Sequence, residues 1–327
     1  MAVLVLFFLS GACGLVYEVV WMRMLTIVFG ATAFATSTIL ASFFTGLALG
    51  GAIFGRIIDR GRNPLRVYAL LEGGIGLFAF LMPLLFSGVT GLYVGIARQL
   101  GLGFTGTSLV IFLLSFVVLV VPATLMGGTL PVIVKFFARR EEEVGLKVGQ
   151  LYALNTLGAV VGTMAAGFFL ILLLGVREAA YAAGILNLLI AGTVFLVSRE
   201  VEEGAGEVDA ARAGNDDDEV AAAGAAGADP EVSERPAHSP RAVRLALWAI
   251  GVGGFCALAL EVFWTRALVF FLDNSTHAFT TILTAFLLGI GIGSLAIAPF
   301  LDRQRKALGW LGVLEILIGI SAILALP

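Results

Sequence analysis

Two short runs in an otherwise apolar chain carry a carboxylate, an indole and a guanidinium at one common spacing. They read Glu18-Val-Val-Trp21-Met-Arg23 and Glu261-Val-Phe-Trp264-Thr-Arg266. A carboxylate inside a membrane helix is costly to charge and is a functional candidate by default. Two of them facing one cavity would suit a polycationic ligand such as a polyamine, or a proton-coupled step. The competing reading is structural: each carboxylate pairs with an arginine and ties helices together. Five residues turn a helix by about 140°, so Glu18 and Arg23 do not share a face. Pairing across helices, Glu18 with Arg266 and Glu261 with Arg23, is the form the structural reading takes.

Other ionisable residues sit near helix ends. Glu72 and Glu315 lie two turns into helices that follow basic turns, and are expected to pair with loop arginines in a gating or structural charge network. Asp59, Arg60 and Arg62 belong to that network, with Asp302, Arg303 and Arg305 as their counterparts. Tyr152 and Asn155 lie on a Gly/Ala-rich stretch and are candidates for interhelical hydrogen bonds or ligand contact. Trp21 and Trp264 read as interfacial anchors, His277 as a solvated loop residue, and Cys13 and Cys256 as small buried side chains. The sequence has no hydrolase triad, zinc spacing or phosphate loop. No catalytic residue, metal or cofactor is therefore expected on this chain.

These residues are positioned by long apolar runs. The chain of 327 residues is 59% hydrophobic and 13% charged, with a mean hydropathy of +1.02. Soluble domains carry about 25% charged residues, and runs here repeatedly reach the roughly 20 residues that cross a bilayer as helix. The fold class is an all-α integral membrane protein with about nine transmembrane helices. Six fall in residues 1–198 and three in 242–327. Helix 1 is expected over about 3–29, helix 2 over 34–58, helix 3 over 65–86 and helix 4 over 107–137. Helices 5 and 6 follow over about 148–174 and 178–197. A Gly-rich external loop with a short interfacial helix is expected over 87–105.

An internal repeat organises the chain. Shifted by 243 residues, Cys13–Glu72 overlies Cys256–Glu315 without a gap, and 20 of the 60 positions are identical. The second repeat, with three helices, reads as incomplete. Between the repeats, residues 199–241 hold 12 acidic and four basic residues, a net −8 in a chain of net −3, so the rest carries +5. This composition predicts a disordered acidic linker and gives no support to a nucleic-acid partner. Basic residues cluster in the loops after helices 2, 4 and 8. By the positive-inside rule the N-terminus and linker are cytoplasmic in a multi-pass protein of the cell (inner) membrane.

Gly55-x-x-x-Asp59-Arg60-x-Arg62 resembles the loop signature of major facilitator (MFS) transporters, with a weaker echo in Asp302-Arg303-x-Arg305. Ser10-Gly-Ala-Cys-Gly-Leu-Val-Tyr-Glu-Val-Val-Trp21 resembles the first helix of membrane-integrated spermidine synthase-like proteins. Pro122-Ala-Thr-Leu-Met-Gly-Gly-Thr-Leu-Pro131 and the run from Gly149 to Gly162 are similar to helices 4 and 5 of that family. The resemblance implies an MFS-like six-helix bundle followed by the start of a second, fused to a cytoplasmic aminopropyltransferase domain that this chain lacks. It implies a membrane anchor for a polyamine-synthesising enzyme that binds or moves polyamine, with the bilayer and a synthase domain or partner protein as neighbours. The alternatives are a stand-alone secondary transporter of a small, cationic solute, and a non-catalytic membrane scaffold.

Overall fold

The computed structural model describes residues 2–30, 32–137, 141–213, 240–272, 275–301 and 307–324. Among these residues the chain is helical, with no strand. The helices are α1 (Ala2–Phe29), α2 (Thr32–Asp59), α3 (Pro64–Leu100), α4 (Phe104–Phe137) and α5 (Glu141–Ala165). A π-helical turn (Ala166–Leu170) leads into α6 (Ile171–Leu174), and α7 (Val176–Ala213), α8 (Pro240–Leu272), α9 (Ser275–Leu301) and α10 (Ala307–Leu324) follow. Eight helical spans among the described residues are long and apolar enough to cross a membrane, and Gly312–Leu324 is a shorter apolar helix. Large apolar side chains such as Leu84, Leu172 and Phe270 are more than 70% exposed, a surface suited to lipid rather than water.

The helix boundaries follow local chemistry. Asn63 caps α3: its Oδ1 accepts from the Leu65 and Arg66 amides at 2.9 and 3.3 Å, and Pro64 opens the helix. Gly101, with φ 60°, closes α3 in the left-handed region. The external loop expected over 87–105 is therefore mostly helix. Nothing between Phe86 and Leu100 breaks it, since glycine lowers helix propensity without forbidding helix. The helix likewise continues through Pro83, and α4 continues through Pro122 and Pro131. At the far end of the first bundle α7 runs to Ala213, past the expected linker boundary at 199, through residues rich in the helix formers Ala and Glu. The rest of the expected linker, 214–239, lies outside the described residues.

The chain divides into two compact units, Met1–Phe195 with Leu258–Arg305, and Leu196–Ala257 with Lys306–Pro327. In the first, small residues allow helices to touch backbone to backbone. A Cβ added at Gly46 would meet Ala123, and one at Gly50 would meet the Thr124 carbonyl, so α2 and α4 lock along this stripe. Gly158 and Gly162 of α5 press on the Phe8 and Ala12 carbonyls of α1 in the same way. The core of this unit gathers Tyr17, Trp21, Leu25, Ile39, Met82, Leu119 and Phe279. Trp21 is thus no interfacial anchor: it is fully buried, stacked on Tyr17 at 5.2 Å and tilted against Phe43 at 5.7 Å.

Candidate functional site

Glu18 and Glu261 come from α1 and α8 into one buried region of the first unit. They are 6% and 4% exposed, and their carboxyl groups are within electrostatic reach of each other. Among the described residues no ion pair joins either of them to a cation. The expected cross-helix pair between Glu18 and Arg266 does not form, because Arg266 points to an exposed position on α8. Arg23 is half-buried and engaged in an interaction of its own. Glu261 Oε1 has no hydrogen-bond partner, an arrangement that costs free energy unless a ligand or proton occupies it.

Other buried polar atoms share this condition. Trp21 Nε1 and the hydroxyls of Thr36, Ser115, Thr265, Thr280 and Thr284 lack partners. Trp21 follows Glu18 by three residues and Thr265 follows Glu261 by four, so each lies on the same helix face as its carboxylate. Gly167, in the π-helical turn, lies against the Thr280 side chain of α9. Such turns interrupt the regular ladder and recur at functional sites. The arrangement offers two buried carboxylates in an apolar bundle, each with an unpartnered polar side chain one turn along its own helix. It can hold an ammonium group or a proton. It offers no nucleophile–base pair, and no metal-binding cluster occurs among the described residues.

Glu72 takes a different place from the one expected. It is fully buried in α3, where Ser10 Oγ donates to its Oε1 and Asn187 Nδ2 donates to its Oε2. Tyr17 Oη in turn donates to Asn187 Oδ1 at 2.7 Å. The Tyr68 hydroxyl is buried beside Glu72 and Ser10. The partners are neutral groups on α1 and α7, not the loop arginines. Asn187, Ser10 and Tyr17 were missed as site residues; a lone Asn in the apolar run Gly184–Gly192 was the available signal.

The remaining candidates are dispersed. Asp59 pairs with Lys135 at 3.4 Å across the ends of α2 and α4, both side chains largely exposed. Arg60 and Arg62 line a surface depression with Phe54 and Leu71. Asp302, Arg303 and Arg305 lie outside the described residues. Glu315 is half-buried on α10, its carboxylate against Gly253 of α8 in the second unit. Asn155 packs against Gly11 of α1, whereas Tyr152 is 41% exposed. Cys13 is buried but Cys256 is exposed. His277 is not a loop residue: it lies in α9, its ring stacked on Phe168 at 5.4 Å.

Comparison with known proteins gives one relative. The chain is 25% identical over 192 residues to polyamine aminopropyltransferase 1 of Streptomyces coelicolor, a match covering 58% of this chain and 32% of that protein. The matched part is thus about a third of the relative's length, and the similarity supports a spermidine synthase-like relationship. No family model matches, and no solved structure matches.

Proposed function

We propose that this chain is the membrane-embedded region of a spermidine synthase-like protein. On this reading it anchors an aminopropyltransferase domain in the inner membrane, with the N-terminus cytoplasmic, and binds polyamine at Glu18 and Glu261. The observation that carries it is two buried carboxylates within electrostatic reach of each other, neither of them ion-paired to a cation among the described residues. A polyamine places positive charges on a flexible apolar chain and can satisfy both carboxylates at once. The similarity to the Streptomyces enzyme supports the choice of polyamine over other cations. The bundle is MFS-like on this reading, with α8 to α10 as the start of a second repeat and α10 as the ninth crossing.

Spermidine titrated calorimetrically into the detergent-solubilised chain tests the site. Glu18→Gln with Glu261→Gln removes both charges at nearly constant volume and should abolish the binding. Unchanged affinity in that double variant sinks the ligand role.

Glu72 favours a second reading, a proton-coupled secondary transporter. A buried carboxylate held by neutral donors keeps hydrogen bonds in either protonation state, as a proton carrier must. Proton-driven spermidine uptake into liposomes, lost in Glu72→Gln, would support it; no uptake by the unaltered chain would exclude it.

A further inference from the structure

A cavity of about 290 Å³ lies between the first turns of α2 and the last third of α8, and neither Glu18 nor Glu261 lines it. Thr36, Thr265 and Arg266 line it together with Val262, Val269 and Phe270. The two threonines are each 1% exposed, and neither hydroxyl has a hydrogen-bond partner. Arg266 forms no ion pair among the described residues. Ala33, in the first turn of α2, also lines the cavity, and the unsatisfied amides of a helix's first turn favour negative charge.

The internal repeat sharpens this observation. Under the 243-residue shift Thr36 corresponds to Phe279 and Thr265 to Met22, while Arg266 corresponds to Arg23. Phe279 and Met22 are both fully buried and belong to apolar packing. Each copy thus has one of the threonines: the α2–α8 junction carries short hydroxyl side chains and open space at the positions that two large apolar side chains, Met22 of α1 and Phe279 of α9, occupy in the equivalent helices. Generic helix packing would have been served by the apolar side chains. The open junction combines a guanidinium, two orphan hydroxyls and a helix N-terminus on one side with Val262, Val269 and Phe270 on the other.

We propose that this cavity binds a phosphate oxyanion carried on an apolar body. Arg266 supplies a planar fork of donors suited to phosphate, the two threonines donate to the remaining oxygens, and the apolar wall takes the attached chain. The site is distinct from the carboxylate pair, since a cation suited to Glu18 and Glu261 would be repelled by Arg266. The phosphate can come from an anionic phospholipid headgroup or from a free small anion, and the test separates the two.

The full chain in detergent micelles is examined by native mass spectrometry after titration with dioleoylphosphatidylglycerol. Dioleoylphosphatidylcholine serves as the zwitterionic comparison and inorganic phosphate as competitor. The expected result is one retained phosphatidylglycerol per chain, bound about tenfold more weakly by Arg266→Gln, the loss of one charge-assisted set of hydrogen bonds. Arg266→Lys should recover part of that loss. Thr36→Phe with Thr265→Met gives the cavity the side chains found at the equivalent positions of α9 and α1, so it should abolish binding and leave the melting temperature unchanged or raised. Displacement of the lipid by millimolar phosphate assigns the site to a free anion, and persistence assigns it to the headgroup. Phosphatidylglycerol retained equally by the unaltered chain, Arg266→Gln and the filled variant, with no phosphate effect, overturns the proposal.

Discussion

Tyr17 donates to Asn187 across 170 residues of sequence, at 2.7 Å, and so turns the Asn187 amide with its NH2 toward Glu72. One phenol on α1 thereby fixes the donor that α7 presents to a carboxylate on α3. The second copy of the repeat keeps the carboxylate, Glu315, but replaces Ser10, Tyr17 and Tyr68 by Gly253, Leu260 and Leu311. The contact survives, because Glu315 still lies against Gly253, but its hydroxyl and phenol neighbours do not. The two copies thus share a packing geometry and differ in polar chemistry.

Removing the amide should expose that dependence. Asn187→Leu leaves Glu72 and the Tyr17 hydroxyl short of partners inside the bundle and is expected to destabilise by about 1–3 kcal/mol. Tyr17→Phe removes a single neutral hydrogen bond and should cost about 1 kcal/mol or less. Thermal unfolding of both variants in the same detergent orders them; equal melting temperatures for Asn187→Leu and the unaltered chain would contradict the network.

The reverse experiment restores chemistry to the second copy. Gly253→Ser puts a hydroxyl beside the Glu315 carboxylate, as Ser10 stands beside Glu72. The added Cβ would crowd the Glu315 carboxylate, the far end of a flexible side chain that must swing aside, so the new hydrogen bond and the loss of a mid-helix glycine should leave a net gain of no more than about 1 kcal/mol. A lower melting temperature would mean that α8 and α10 are too close to admit the hydroxyl.

Glycines at matching repeat positions should respond in opposite ways. Gly50→Ala drives a methyl group into the Thr124 carbonyl and is expected to cost about 1–3 kcal/mol through overpacking. Gly293→Ala, where nothing stands within 4 Å, should be neutral or stabilising. The difference in melting temperature between the two variants is the readout, and no difference would count against the α2–α4 contact.

The Asp59–Lys135 pair is expected to matter little. Its side chains are 71% and 53% exposed and 3.4 Å apart, so Lys135→Ala should change stability by no more than about 0.5 kcal/mol, less at high salt. A larger loss in a salt titration of the melting temperature would mark a coupled network rather than a surface pair.

Apolar run length made the helices legible, and the repeat made Glu18 and Glu261 legible as a pair. Neither signal reports which face a residue occupies. Trp21 reads as an anchor by type but is core, because Tyr17 and Phe43 enclose it. Glu72 reads as an arginine partner because basic residues are near in sequence, whereas its donors arrive from Ser10 and Asn187, 62 and 115 residues away. The end of α3 was hidden for a simpler reason: glycines at 88, 91 and 95 resemble loop composition, yet only Gly101 adopts the left-handed conformation that stops a helix. The Thr36–Thr265 cavity shows in the sequence only as two repeat mismatches, which carry no meaning until the helices are assembled.

The central claim is that Glu18 and Glu261 jointly receive one polyamine, and carbodiimide labelling tests it most directly. The detergent-solubilised chain is treated with dicyclohexylcarbodiimide with and without spermidine, and modification is quantified by peptide mass spectrometry. Spermidine should protect Glu18 and Glu261 together, with one concentration dependence, and leave any labelling of Glu72 unchanged. Labelling of Glu18 and Glu261 that proceeds at the same rate at every spermidine concentration would contradict the account.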